Sequence, residues 1–227
     1  MNIESIIVDG GSTDGTLEIL HKYSSFIKQI EIRPELGIYE SMNRGIDLAS
    51  GEIIGILNSD DLLEDPMSIQ HILNAFNNNP MVEAVYGDLV YVDISSIDMI
   101  TRYWRAGHFT KAKMRKGWMP PHPTFYIRKD SLNKIGRYRT DLGSAGDYEF
   151  MLRALFKHKI KTVYIPQILV KMRRGGVSNG SISRRMKANS NDRLAWHVND
   201  LRPFPLINFM KPLRKLSQYL LRPGDTK

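Results

Sequence analysis

Apolar positions along the chain follow two rhythms: short β-branched runs, and longer stripes at helical spacing. The first run, Ser5-Ile6-Ile7-Val8, ends on Asp9 and is followed by Gly10-Gly11-Ser12-Thr13-Asp14-Gly15-Thr16. Leu17, Ile19, Leu20 and Tyr23 then recur at helical spacing. Strand, glycine-rich turn and helix in that order predict half of a βαβ unit. A second strand is expected over 27–32, then a helix carrying Ile46, Leu48 and Ala49, closed by Gly51 just past its C-terminus. The stretch 51–61, GEIIGILNSDD, groups Ile53, Ile54, Ile56 and Leu57 without polar alternation. That pattern predicts a strand buried on both faces, as in a parallel sheet.

The two rhythms continue downstream. A helix is expected over 66–77 with Ile69, Ile72, Leu73 and Phe76 on one face, a strand over 84–92, and a partner strand over 99–104. Trp118-Met119-Pro120-Pro121-His122-Pro123 is too proline-rich for a helix or a central strand. A short strand over 124–127, a helix over 129–135 and a helix opened by Asp147 follow, with closing strands at 163–165 and 168–172. The expected fold class is α/β, with a mixed, mostly parallel sheet flanked by helices and a helical C-terminal tail.

Composition narrows the chemistry. At 227 residues, 42% hydrophobic and 25% charged, the chain has the make-up of a globular domain with a sizeable core. Cysteine is absent, which excludes disulfides, thiolate catalysis and cysteine-ligated metals. No apolar run reaches the roughly eighteen residues of a membrane span, and Met1 precedes Asn-Ile-Glu-Ser rather than a basic-then-apolar leader. The expected location is cytoplasmic. The formal charge is +8, but residues 180–227 hold six arginines, four lysines and three aspartates, a net +7. Basicity therefore belongs to the tail, and no nucleic-acid partner is read from it. In that tail, over 207–222, Phe209, Leu213, Leu216, Leu220 and Leu221 interleave with Lys211, Arg214, Lys215 and Arg222. Such a helix suits an anionic membrane surface, here the inner face of the cell membrane, and suits equally well packing on the domain or on a second copy. A homo-oligomer stays open.

The candidate chemistry lies at two strand ends, Asp9 and Asn58-Ser59-Asp60-Asp61. Adjacent carboxylates repel unless a cation or several donors satisfy them, and open α/β sheets bind ligands at their strands' carboxyl ends. A polar turn with a helix-capping Asp accounts for the same residues. A calcium loop counted from Asp9 fails, because Asp14 takes the glycine position and Leu20 that of the bidentate acid. A Walker loop fails because no Gly-Lys-Ser/Thr follows. If both strands belong to one sheet, their acids converge on a crevice suited to a nucleotide whose diphosphate is held through Mg²⁺ or Mn²⁺.

IIVDGGSTDGT, GIYESMNRGIDLASGEIIGILNSDD, AVYGD, GWMPPHPTF and AGDYEFMLR, in that order, resemble family 2 of the glycosyltransferases, of the GT-A fold, and within it the bacterial polysaccharide and O-antigen enzymes. The likeness covers residues 1–180, with 181–227 as a separate basic tail. It implies a transferase that moves a sugar from a nucleotide-sugar, UDP-linked, to a glycan or lipid-linked acceptor with inversion. By that resemblance Asp9 meets the uracil or ribose, Asp60 faces the ribose and sugar, and Asp61 ligates the metal of a DXD-type motif. Gly11 and Asn43 fall in the nucleotide-sugar-binding segments. Asp147 is the general base, although an N-cap role suits it too, and one carboxylate can serve both. His122 is placed against the acceptor or the diphosphate, and Arg173, with Arg174 and Ser178, where a loop closes over the diphosphate.

Three departures accompany the likeness. Met42 stands where many members carry Arg; no QXXRW motif is present, which argues against a processive synthase; and the family's preceding strand and helix would lie ahead of Asn2. The resemblance thus implies an N-terminally shortened domain, with weak activity expected of these residues alone. Two other readings stand beside it. One is a remnant that only binds glycan or a partner. The other is a sugar-nucleotide nucleotidyltransferase, which would want a glycine- and Lys/Arg-rich signature near its first strand.

Overall fold

The computed structural model describes residues 2–173, 191–204, 207, 210, 218, 219 and 223. Arg174, Ser178, the 180/181 boundary and most of the tail helix expected over 207–222 lie outside the described residues. The elements run β1 (Ile6–Asp9), α1 (Thr16–Lys22), β2 (Gln29–Ile32), α2 (Ile38–Leu48), β3 (Ile53–Gly55), β4 (Asp61–Leu63) and α3 (Ser68–Asn78). Then come β5 (Ala84–Val92), β6 (Ile100–Trp104), α4 (Lys111–Arg115), β7 (Tyr126–Arg128), α5 (Lys129–Ile135), α6 (Gly146–Leu152) and β8 (Thr162–Arg173). A further helix occupies residues 191–197.

Strand β5 is the axis of a six-stranded sheet ordered β3-β7-β5-β8-β4. β8 runs parallel along one edge of β5, while β7 (at Ala84 and Val85) and β6 (at Leu89 to Val92) share the other. All of β5 except Tyr91 is buried, which explains the nearly unbroken apolar run AVYGDLVYV. Its two faces feed two cores. Ile72 and Phe76 of α3 pack with Val85, Leu89 and Val170 on one side. On the other, Tyr86 joins Trp118, Phe150, Leu152, Leu155 and Trp196. Burying those large side chains supplies the main stabilising term, about 1.5–3 kcal/mol for each.

The α/β architecture is the expected one, and its sheet is mixed. Among the described residues, parallel pairing is confined to β1–β2 and β5–β8, while β3–β7, β4–β8, β5–β6 and β5–β7 are antiparallel. Three expectations change. β1 and β2 form their own two-stranded sheet, so Asp9 and Asp61 do not end strands of one sheet. β3 lies at the sheet's edge with only β7 beside it, and Leu57 is 43% exposed, so this stretch is not buried on both faces. α2 ends at Leu48, and Gly51 does not cap it: Glu4 Oε1, from just ahead of β1, instead accepts the N–H groups of Ser50 and Gly51, each at 2.5 Å. That clamp, joined by Lys28, ties the β1–β2 layer to the start of β3. The expected strands at 163–165 and 168–172 are one continuous β8.

Candidate active site

Asp9 ends β1 at the glycine-rich turn. Its Oδ1 accepts the N–H groups of Gly11 (2.8 Å) and Ser12 (2.7 Å), and its Oδ2 accepts the Ser12 hydroxyl (2.7 Å). Gly11 makes this geometry possible: its φ is +83°, and a Cβ there would sit 2.9 Å from Pro34 Cγ. The Ser12 backbone donor, with the Ser12 hydroxyl and Gly11, holds the Asp9 carboxyl below the usual range despite burial.

Asp61 is built the opposite way. It opens β4, follows the turn Asn58–Asp60 and pairs in register with Met172 of β8. Only 5% of it is exposed. Asn58 Nδ2 donates to Oδ2 at 2.9 Å, while Oδ1, among the described residues, is buried with no hydrogen-bond partner. Burial, with the neighbouring Asp60 charge, pushes its pKa up to about 6. An anionic oxygen stripped of water and unpaired is costly, and a hard divalent cation is the ligand that relieves it. Among the described residues no three His, Asp or Glu side chains gather to hold a metal. Asp61 would thus contribute one or two ligands, the remainder coming from a diphosphate and water, as is usual for Mg²⁺ at nucleotide sites. In this sense the residues fit the expected ion.

The register across the sheet adds neighbours. Met172, opposite Asp61, is itself opposite Tyr91 of β5, and Tyr91 is opposite Arg102 of β6. Arg173 follows in β8, half-buried, one position from the residue that pairs with Asp61. Burial raises the Tyr91 pKa; Arg102 opposes this, and the charges of Asp61 and Asp147 add to it. The Arg102 guanidinium lies 4.4 Å from the Tyr91 ring centroid and 5.3 Å from that of Tyr219, and donates to Gln218. Tyr91 was not singled out in the sequence, where it reads as one more aromatic in a strand.

Asp147 is the second residue of α6, not its N-cap, which is Ala145. Its Oδ1 accepts the Tyr148 N–H at 2.7 Å. The helix beneath it is braced from two sides. Arg153 donates to both oxygens of buried Glu149 (2.8 and 3.0 Å) and to the carbonyls of Ile135 and Arg137 (2.5 and 2.7 Å). From residues 191–199, Asn199 donates to Glu149 Oε1 (3.0 Å) and Trp196 Nε1 to Tyr148 Oη (3.0 Å).

His122 is buried in its proline-rich turn, its Nε2 2.9 Å from Tyr138 Oη. Burial lowers its pKa, opposed by the Asp147 charge. Asn43 uses both ends of its amide on Tyr138, donating to its carbonyl and accepting its N–H, each at 2.8 Å. That pairing staples α2 to the loop leading into α6. His122, Tyr39, Tyr138 and Asp147 therefore form one cluster, Tyr39 stacking on Tyr138 at 6.0 Å and Tyr138 on Phe150 at 4.3 Å. Tyr39 and Tyr138 were missed; the available signal was an aromatic in the first turn of the GIYESMNRG helix. Asp60 is half-buried beside Asp61. No described hydrogen bond joins Asp9 to Asp61 or Asp147.

Comparison with known proteins points one way. The family described as "Glycosyl transferase family 2" matches residues 1–157. The PGL/p-HBAD biosynthesis glycosyltransferase of Mycobacterium bovis is 25% identical over 187 residues, covering 81% of this chain and 70% of that protein. Chondroitin synthase of Pasteurella multocida is 28% identical over 171 residues, 72% of this chain but 17% of its own length. Among solved structures, S. aureus TarS 1-349 in complex with UDP-GlcNAc matches with TM-score 0.63 and 18% identity, over 96% of this chain and 62% of that one. Mannosyltransferase PcManGT from Pyrobaculum calidifontis, in complex with GDP-Man and Mn²⁺, matches with TM-score 0.59 and 16% identity, over 92% and 59%. The chain thus spans about three-fifths of these structures, whose likeness supports the GT-A fold. Among the described residues, no helix is long and apolar enough to cross a membrane.

Proposed function

Because the chain belongs to glycosyl transferase family 2, we propose that it transfers a sugar from a UDP-sugar to a hydroxyl of a glycan or lipid-linked acceptor, with inversion, in cell-surface polysaccharide assembly. The observation that carries this reading is the buried Oδ1 of Asp61, beside Asp60, with no hydrogen-bond partner among the described residues. It belongs to a carboxylate held out of water with one donor, Asn58, against the three that Asp9 has. Asp61 would hold Mg²⁺ or Mn²⁺, which when bound would offset charge on the leaving diphosphate. Asp60 would face the ribose and sugar, and Asp9 with Gly11 the nucleoside. Arg173 would add positive charge near the diphosphate. Asp147 would be the base: it would take the acceptor hydroxyl's proton as the oxygen bonds to the anomeric carbon and the bond to the diphosphate oxygen breaks.

The bound nucleotide-sugars of TarS and PcManGT support a nucleotide-sugar donor, and the Mn²⁺ of the latter supports the ion. The net +7 of residues 180–227 supports contact with an anionic membrane surface that carries a lipid-linked acceptor. Calorimetric titration with UDP, with and without Mn²⁺, tests the reading. Binding that needs Mn²⁺ and is lost in a folded Asp61→Ala variant is expected; metal-independent binding, or none, would overturn it.

A further inference from the structure

Tyr39 joins two elements that lie 108 residues apart in sequence, the first turn of α2 and the first turn of α6. Its ring is buried between Tyr138, stacked at 6.0 Å, and Gly146, where a Cβ would lie 2.8 Å from Cε2 and Cζ. Only glycine lets the phenol come this close to the backbone of α6. The hydroxyl oxygen accepts the Asp147 N–H at 3.2 Å and also lies against the Gly146 N–H. No side chain of α6's own N-cap residue, Ala145, meets those donors, so a phenol from another helix takes the capping position.

A phenol oxygen that accepts backbone N–H groups keeps its own hydrogen to give, and the Asp147 carboxylate stands beside it. Tyr138 also feels the Asp147 charge, but its hydroxyl is engaged with His122 at 2.9 Å. His122 and Tyr91 sense the carboxylate as well, from the proline-rich turn and from β5. Burial, reinforced by the Asp147 charge, raises the Tyr39 pKa, so the phenol stays protonated and remains a donor.

We propose that Tyr39 is a positioning residue whose hydroxyl fixes the first turn of α6 and orients the Asp147 carboxylate toward the acceptor's proton. This rests on the reading of Asp147 as the general base. Small displacements of a reacting group are costly, about 100-fold for 1 Å. Loss of the hydroxyl should therefore register in turnover and not in donor binding.

The test uses the full chain with Mn²⁺ and a donor panel of UDP-GlcNAc, UDP-glucose, UDP-galactose and GDP-mannose, with nucleotide release as the signal. Tyr39→Phe keeps the ring and removes the hydroxyl. On whichever donor the unaltered chain turns over, kcat should fall at least tenfold, with the donor KM within about twofold and the melting midpoint nearly unchanged. Asp147→Asn, run beside it, should be inactive. Wild-type kcat in Tyr39→Phe beside an inactive Asp147→Asn would overturn the positioning role and leave the base reading standing. An active Asp147→Asn, or an unaltered chain silent on the whole panel, would remove the base reading itself. A collapsed melting midpoint in Tyr39→Phe would mark Tyr39 as a structural strut and overturn the proposal.

Discussion

Asp9 and Asp61 are both buried aspartates where a strand meets a turn, and they are held in opposite electrostatic states. Asp9 has three short donors from its own loop, and its charge is stabilised from within. Asp61 has one donor, an oxygen with no partner among the described residues, and an acidic neighbour. A carboxylate satisfied by the protein shapes a loop, whereas one left short of donors is poised for a ligand. The difference separates two residues that look alike in sequence.

The largest effect should come from Asp61→Asn, which is expected to lower both turnover and Mn²⁺-dependent UDP binding at least 100-fold, read by nucleotide release and calorimetry. A loss confined to Asp9→Asn would reverse the contrast. Next in size is an opposition of signs in metal-free stability at pH 7, measured by urea unfolding. Asp61→Asn should gain about 1–3 kcal/mol, because its charge is ionised against burial at about 1.4 kcal/mol per unit of pKa. Asp9→Asn should lose about 1–3 kcal/mol with its charge-assisted hydrogen bonds. The pH profile follows the same logic. Asp61 has a raised folded pKa, so the native state binds more protons than the unfolded chain between the ordinary value, 3.8, and about 6. Its contribution to stability therefore falls as pH rises through that window. Asp9 has a lowered folded pKa, so its contribution is present above the ordinary value and is lost as pH falls through the folded one. Thermal melts of the two Asn variants between about pH 3 and pH 7 separate these slopes. The smallest effect, about 0.5–1.5 kcal/mol, is expected for Ser12→Ala, which removes one of Asp9's donors and should leave Mn²⁺-dependent UDP binding intact.

The elements whose apolar residues meet a nearby partner were legible. The strand over 84–92 and the helix over 129–135 form where the sequence predicts, because β5 is buried on both faces and α5 packs beside the strand it follows. What the chain pattern could not carry was pairing. Strand direction and sheet membership depend on contacts such as Asp61 with Met172, more than a hundred residues apart, so the separate β1–β2 layer was invisible. GEIIGILNSDD fared in between. Its acids were found, but β3 stops at Gly55 and Asp61 starts a new strand, an element its polar surroundings argue against. At the candidate site the titratable residues stood out and their supports did not. Tyr39 and Tyr138 meet their neighbours through ring stacking and hydroxyl contacts across the fold, which leave no periodic trace.

The brace under α6 has a consequence for the order in which the molecule is made. Buried Glu149 rests partly on Asn199, and Tyr148 meets Trp196, both supplied by chain that leaves the ribosome after residue 190. Until that segment arrives, the helix bearing Asp147 lacks two of its holds and exposes the apolar face that Trp196 will cover. A nascent chain would thus carry β5, β8 and α3 before it carries the segment that completes this corner. Completion of this corner would thus come late in synthesis, through the docking of Trp196 and Asn199 from downstream.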